Sequence, residues 1–281
     1  MQLETRIYQK ENNKSLVKLL GESLTDTYKS LYLAKQLAIR DIKAQYRQSY
    51  LGILWAFITP LTTALVWVFL NSSGTIKLTD TGIPYPVYAF SGALIWSIIT
   101  ESIKSPISST TAAKSIISKI NFPKEALIVS GVYKMLFNSF IKILILIGFL
   151  FIFKISLSWS ILLFPLALLG VVVFGTTIGL FITPLGLLYK DISKAIPIGL
   201  QLLMYVTPVV YSIPKTGIMK TLMDANPFSP LILTTRNLLV GLELQHLEYF
   251  GWIILISIPL FFLALVFYRV SIPIIVERMS A

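Results

Sequence analysis

Long uncharged stretches dominate the hydrophobic pattern of this chain and recur along most of its length. A helix that spans a bilayer needs about 20 mostly apolar residues, and six segments come close to or exceed that length. Their approximate bounds are 51–70, 83–103, 126–153, 158–188, 195–214 and 249–268. The pattern therefore predicts an all-α integral membrane protein with six transmembrane helices, in which both termini lie on one side of the membrane.

An amphipathic helix is predicted just before the first span, over residues 31–50. Its apolar and basic sides are formed by separate sets of residues, with Leu31, Ala34, Ala38, Ile42 and Tyr46 on one side and Arg40, Lys43 and Arg47 on the other. This pattern is typical of a helix that lies in the plane of the lipid headgroups. Two interpretations stay open. The cations either contact anionic lipid and so fix the topology, or they bind a phosphate-bearing substrate as it enters.

The connection 215–248, between the fifth and sixth spans, is too long to be a plain turn. Within it, Pro227–Gly241 has leucines among polar residues, an early proline and a late glycine, which favours a short amphipathic or re-entrant helix. Such a helix either closes a path from outside or packs as an ordinary surface helix on the ends of the spans.

Composition and charge agree with a membrane protein and fix its predicted orientation. The chain has 281 residues, of which 55% are hydrophobic and 13% charged, whereas about 25% is typical of soluble proteins. Of the 24 Lys and Arg residues, 17 fall on the side of the termini, five on the other side and two inside the third span. The net charge of +11 is therefore chiefly a topology signal, which predicts cytoplasmic termini.

Polar side chains recur inside the third span at every fourth residue, at Ser130, Lys134, Asn138 and Lys142. Ionisable groups at such depth face a bundle interior or water. Lys134 has the length to snorkel to the surface, whereas Lys142 lies deeper and is expected to line a cavity or to pair within the bundle. Aromatic residues near the span ends are typical of interfacial anchors.

Motifs for catalysis and metal binding are missing from the sequence. The chain has no cysteine and one histidine, His246, and it contains no GxxxxGK[ST] phosphate loop and no HExxH, GxSxG or EF-hand motif. We therefore expect no catalytic residue, no metal site and no cofactor in this chain, and no ATP hydrolysis by it alone.

Five motifs resemble the ABC-2 type permeases that export cell-surface polysaccharides such as O-antigen and teichoic acid. The most specific is the run from Arg40 to Leu61, which reads RDIKAQYRQSYLGILW and continues to Pro60-Leu61. The others follow in the family's order: Asn121–Glu125, Tyr189–Ile192, Thr207–Tyr211, and Asn226-Pro227 through Arg236 to Gly241. One departure is Lys124, where the family has arginine.

The resemblance implies a permease subunit in the bacterial inner (plasma) membrane that forms a homodimer and binds two copies of a cytosolic ABC ATPase, which hold ATP and magnesium. It implies a lipid-linked glycan as substrate, a cytoplasmic gate helix, a coupling loop at 104–125 and an outer gate region at 215–248. The implied site residues are Arg40, Lys43, Tyr46 and Arg47 for the gate helix and headgroup; Lys114, Ser118, Lys119, Phe122, Lys124 and Glu125 for coupling; and Asn226, Pro227 and Arg236 for the outer gate. Candidates to line a channel are Trp55, Tyr88, Trp96, Asn138, Lys142, Tyr205 and Tyr211.

Three alternatives remain at this point. An ABC-2 exporter of a drug or small lipid shares the same architecture. A membrane enzyme that modifies glycans would need a converging acid or histidine cluster. An ion-driven secondary transporter would be expected to have carboxylates at mid-span, and the only one in the predicted spans is Glu101, near an inner end.

Overall fold

The structure is a computed structural model that describes residues 15–47, 49–74, 81–117, 119–156 and 158–280. All regular secondary structure within these residues is helical. The helices are α1 (Leu16–Lys29), α2 (Leu31–Tyr46), α3 (Trp55–Ser72), α4 (Tyr85–Ala112), α5 (Lys114–Ile117), α6 (Glu125–Ile152), α7 (Phe164–Leu188), α8 (Lys190–Tyr205), α9 (Ile218–Ala225), α10 (Phe228–Val240) and α11 (Leu247–Ser280). Short 3-10 segments, Gly52–Leu54 and Trp159–Leu163, lead into α3 and α7.

Four helical stretches in the described part of the chain are long and apolar enough to cross a membrane. They are Tyr85–Ala112, Glu125–Ile152, Trp159–Leu188 and Leu247–Glu277, and they coincide with the second, third, fourth and sixth predicted spans. The helices at the first and fifth positions, α3 and α8, have 18 and 16 residues. For these two, membrane crossing stays a prediction.

The fifth predicted span, 195–214, is corrected at both ends. Its helix α8 begins at Lys190 and ends at Tyr205, and residues 206–214 are not helical. Pro208 explains the outer end, because proline has no amide hydrogen to donate and disfavours the helical conformation of the residue before it. We call residues 206–211 the unwound segment.

Three further boundaries differ from the predictions. The predicted coupling loop 104–125 is largely helical, because α4 continues to Ala112 and is followed by the single turn of α5. The predicted gate helix 31–50 ends at Tyr46. The last helix continues well past residue 268 to Ser280, so the predicted sixth span is the outer part of a longer helix.

Helix α4 lies at the centre of the bundle, where it packs against α3, α6, α7, α8 and α10. Large apolar side chains on the outer helices α6, α7 and α11 are exposed, among them Phe140, Phe151, Leu166 and Leu255. A buried central helix surrounded by helices with apolar outer faces is the arrangement expected in a bilayer, where lipid covers those faces.

Glycines bring the backbones of α4 and α7 into direct contact. A Cβ atom added to Gly179 would lie 2.4 Å from the carbonyl oxygen of Ile103, and one added to Gly175 would lie 2.6 Å from Cβ of Ser102. Only glycine fits at these positions. Close approach at small residues is the usual way in which helices pack inside membranes.

Helix α2 packs along α6, and α1 packs against α6 and α11. Ala34 and Ala38 of α2 are buried, as the predicted apolar side requires, and Leu37 joins Ile117 of α5 and Leu127 of α6 in one apolar cluster. Helix α2 and the turn of α5 that follows α4 therefore share a hydrophobic contact.

Candidate functional site

Two adjoining cavities lie between α2, α4 and α6 and share Gln45, Glu101 and Asn138 in their walls. The first, of about 430 Å³, also reaches α3 and α8 and is lined by Tyr46, Trp55, Trp96, Ser97 and Lys142, among others. The second, of about 470 Å³, is more polar and is lined by Asp41, Lys104, Ser108, Ser130 and Lys134, among others. Together they form a groove that runs from α2 into the bundle, with a largely apolar first part and a more polar second part.

Lys142 of α6 and Glu101 of α4 form an ion pair in the wall of the first cavity. The Lys142 ammonium also donates a hydrogen bond of 3.0 Å to the hydroxyl of Ser97. Lys142 was predicted to line a cavity or to pair within the bundle, and in the structure it does both. Glu101 Oε2 has no hydrogen-bond partner among the described residues, so the pair keeps one acceptor unused beside the cavity.

The predicted channel-lining residues divide into two groups. Trp55, Trp96, Asn138 and Lys142 come together around the first cavity. Trp96 is buried and packs edge-on against Phe228 at 5.8 Å, whereas Trp55 is half exposed. The others lie elsewhere: Tyr88 is buried beneath α10, Tyr205 is exposed at the end of α8, and Tyr211 belongs to the unwound segment.

The basic side of the gate helix faces away from both cavities. Arg40 donates from Nε and Nη2 to one carboxylate oxygen, Oδ1, of the neighbouring Asp41, at 2.9 and 2.7 Å, and Lys43 and Arg47 are exposed. Tyr46 is the one predicted gate residue in the wall of the first cavity. Its partial burial raises the pKa of its hydroxyl, and the nearby carboxylate of Glu101 adds to this effect.

The predicted coupling residues lie around α5 and the start of α6. Lys114 and Lys119 are exposed, and Ser118 falls outside the described residues. The ammonium of Lys124 lies 4.5 Å from the centre of the Phe122 ring, and burial lowers the pKa of this lysine. Glu125 is only 2% exposed. Its carboxylate therefore points into the bundle, and its role in coupling stays a prediction.

Glu125 belongs instead to an ion-pair cluster that the sequence did not predict. The guanidinium of Arg269 on α11 binds Glu125, Asp26 at 2.7 Å and Glu22 at 3.6 Å, and Ser23 donates a hydrogen bond of 2.9 Å to Glu125. This Arg269 cluster joins α1, α6 and α11. It ties α1 to Glu125, the last residue of the predicted coupling loop.

The predicted outer gate residues bind the unwound segment. Asn226 donates from Nδ2 to the carbonyl of Val206 and to the hydroxyl of Thr207, both at 2.8 Å. Arg236 of α10 is fully buried and donates to the carbonyls of Pro208 and Val209. Pro227 directly precedes α10. The predicted helix in Pro227–Gly241 is confirmed, and it packs between α4, α7 and α11 rather than on the surface.

Comparison with known families agrees with this arrangement. Residues 32–240 match the family described as ABC-2 type transporter. The chain belongs to this family. The match runs from α2 to the end of α10, so it includes both cavities and the unwound segment. Membership makes this chain a transport subunit of the membrane, not itself a catalyst.

Three similar proteins carry the name O-antigen export system permease protein RfbA. Two, from Klebsiella pneumoniae, are 29% and 28% identical to this ABC-2 type transporter over 232 and 239 residues, which cover 79% and 81% of this chain and 86% and 88% of the relatives. The third, from Myxococcus xanthus, is 26% identical over 184 residues, or 66% of this chain and 69% of that protein.

Proposed function

We propose that this chain is the permease subunit of an ABC exporter that moves a lipid-linked cell-surface polysaccharide from the cytoplasmic to the outer side of the bacterial inner membrane. The observation that carries the proposal is the similarity, over most of the chain, to relatives named as O-antigen export permeases. The family implies that a separate ABC ATPase supplies the energy, and ATP and magnesium would be bound there.

The groove beneath the gate helix supports a sugar-containing substrate. Its walls combine flat aromatic side chains, Trp55 and Trp96, with the carboxamides of Gln45 and Asn138. Aromatic rings pack against the apolar faces of sugars, and carboxamides exchange hydrogen bonds with hydroxyl groups. In this proposal, sugars pass along the groove, while the anionic lipid linkage stays near the exposed cations Lys43 and Arg47.

A homodimer supplies the rest of the path. Helix α8 has no buried residue, although its sequence is amphipathic, and Gln201 and Tyr205 on it are exposed. Trp55 and Thr59 are exposed in the same way on α3. Polar side chains such as those of Gln201 and Thr59 are poor partners for lipid tails. We propose that α3 and α8 face a second copy of the chain and that the channel runs between the two copies.

The ATPase would dock at the turn of α5. The exposed cation Lys114 begins this turn and the exposed Lys119 lies two residues after its end, while Ile117 packs against Leu37 of the gate helix. A movement imposed on α5 by ATP binding would therefore reach the gate helix through direct contact, as population shifts between inner-open and outer-open states require.

The test is export of glycan by cells whose own permease is deleted. The variant Arg40→Ala/Lys43→Ala/Arg47→Ala should lower the amount of surface polysaccharide about tenfold if the linkage binds these cations. The matched control is Lys18→Ala/Lys29→Ala/Lys35→Ala, which removes the same charge from other exposed positions on α1 and α2. Equal export by both variants would exclude the role in linkage binding, and no glycan export by the unaltered chain would exclude the function.

An exporter of a small amphiphile is the second candidate. The first cavity, of about 430 Å³, has the size of a small-ligand site within one subunit. The two candidate functions can be distinguished by which compound stimulates ATP hydrolysis in the reconstituted complex. A lipid-linked glycan stimulates the polysaccharide exporter, whereas small amphiphiles alone would stimulate the second kind.

A further inference from the structure

The unwound segment has backbone carbonyls that no helix satisfies, at the end of the bundle where α8 stops. In surroundings with little water, each such group needs a donor. Side chains of α4 and α10 and the side chain of Asn226 supply the donors one by one. The pairs are Asn226 with Val206 O, Arg236 with Pro208 O and Val209 O, Tyr85 with Val210 O, and Tyr88 with Tyr211 O.

Arg236 is the central donor in this set. A single nitrogen, Nη2, reaches two consecutive carbonyls, and the guanidinium lies 3.8 Å from the centre of the Tyr88 ring. Among the described residues no carboxylate pairs with Arg236, and its Nε and Nη1 have no hydrogen-bond partner. Carbonyl dipoles and the face of an aromatic ring therefore take the place of a counter-ion.

Gly92 on α4 makes room for this contact. A Cβ atom at this position would lie 1.9 Å from the carbonyl oxygen of Val209 and 2.0 Å from Nη2 of Arg236. Both distances are far below van der Waals contact. Any larger residue at position 92 would separate the guanidinium from the carbonyls that it binds.

A fully buried cation without an acidic partner is costly wherever its surroundings are incomplete. Arg236 keeps its two carbonyl hydrogen bonds and its contact with the Tyr88 ring only while α10, α4 and the unwound segment keep their present arrangement. We infer that Arg236 is the positioning residue that holds the unwound segment closed against α10. Gly92 leaves the space for its guanidinium, and the Tyr88 ring packs against it. The inference uses the proposed function only in taking this end of the bundle as the outer end of the path.

The test measures solvent access to the unwound segment. The chain has no cysteine, so a single reporter, Val210→Cys, can be labelled without a background. Val210 is 1% exposed, and a membrane-impermeant thiol reagent added to spheroplasts should label it slowly. Arg236→Ala and Gly92→Ala should each raise the labelling rate about tenfold, the change expected from the loss of a buried charge-assisted hydrogen bond.

Matched controls separate this opening from general unfolding. Thr234→Val, an isosteric change on the same helix at a buried hydroxyl without a partner among the described residues, should leave the labelling of Val210→Cys unchanged. Ser102→Cys, buried in the centre of α4, should stay unlabelled in the Arg236→Ala background, whereas the exposed Thr216→Cys should be labelled in every background.

Tyr88→Phe provides an independent variant, because it keeps the ring under Arg236 and loses the hydroxyl that donates to Tyr211 O. It should raise the labelling rate by less than Arg236→Ala does. If Arg236→Ala does not accumulate in the membrane, the labelling rates of Gly92→Ala and Tyr88→Phe test the inference instead. Labelling at the rate of the parent in the accumulating variants would overturn the inference. Because labelling needs neither glycan nor ATPase, this result is independent of the export assay.

Discussion

Glu125, the first residue of α6, and Arg269, 144 positions further along the chain on α11, form an ion pair in which the carboxylate is almost completely buried. Ser23 of α1 donates to the same carboxylate oxygen. The pair connects the last residue of the predicted coupling loop with the last helix, and Ser23 adds α1 to the contact. Its loss should therefore loosen the end of the bundle at which α1, α6 and α11 meet.

Glu125→Ala should lower the thermal midpoint of the purified permease, because it removes the buried partner of Arg269. The expected loss is about 1–3 kcal/mol, since Asp26 and Glu22 still pair with the guanidinium. Asp224→Ala, at an exposed carboxylate on α9, is the matched control and should change the midpoint little. Equal midpoints for the two variants would show that the cluster does not stabilise the fold.

Lys142→Met and Glu101→Gln test the ion pair inside the bundle. Each single variant leaves its partner without a counter-charge in surroundings of low polarity, so each should destabilise the protein. The double variant should lose less than the sum of the two, by an interaction free energy of about 1 kcal/mol or more. Thermal unfolding of the four proteins measures this quantity. Additive losses would mean that the contact contributes nothing.

Lys114→Glu/Lys119→Glu tests the proposed docking of the ATPase at α5. Reversal of two exposed charges should lower the amount of ATPase that co-purifies with the permease about tenfold. An ATPase surface that is complementary to the two lysines would repel the introduced carboxylates. Lys29→Glu/Lys35→Glu makes the same charge change at other exposed positions and should leave co-purification intact. Undiminished co-purification in the first variant would place the docking surface elsewhere.

Gly199→Leu tests the proposed dimer face on α8. Gly199 has open space around its Cα within the single chain, as does Gly148 on α6. If α8 packs against a second copy, leucine at position 199 should separate the copies, whereas Gly148→Leu should face lipid and be tolerated. Cross-linking in native membranes reports the dimer directly. A dimer that survives Gly199→Leu would contradict the use of this face.

Hydrophobic patterning predicted the apolar helices well, because a span is a local property of about 20 residues. The break after Tyr205 was visible in principle, since Pro208 stands inside the predicted fifth span. Its consequence was not visible, because the donors that satisfy the unwound carbonyls come from α4 and from positions 226 and 236. The side-chain pairs therefore depend on packing that a single sequence does not specify.

The arrangement of the candidate site likewise depends on packing between distant parts of the chain rather than on local sequence. Trp55, Trp96, Asn138 and Lys142 share one cavity, which their spacing on three separate helices could not predict. Nothing near Arg269 in the sequence predicted its ion pairs, because a single arginine near the end of a span is usually explained by membrane topology alone. Glu125 was singled out by its motif alone, and only its three-dimensional neighbours reveal that it points inward.

The glycine contacts between α4 and α7 limit which parts of the molecule can move. Two helices whose backbones touch at Gly175 and Gly179 cannot slide or rotate against each other without a steric clash. We therefore expect α4 and α7 to move as one rigid unit, so that displacement during a transport cycle falls to helices outside this pair, such as α2, α3 and α8. Distances between labels on α4 and α7 would stay constant through the cycle, so this pair provides the fixed frame for measuring every other motion.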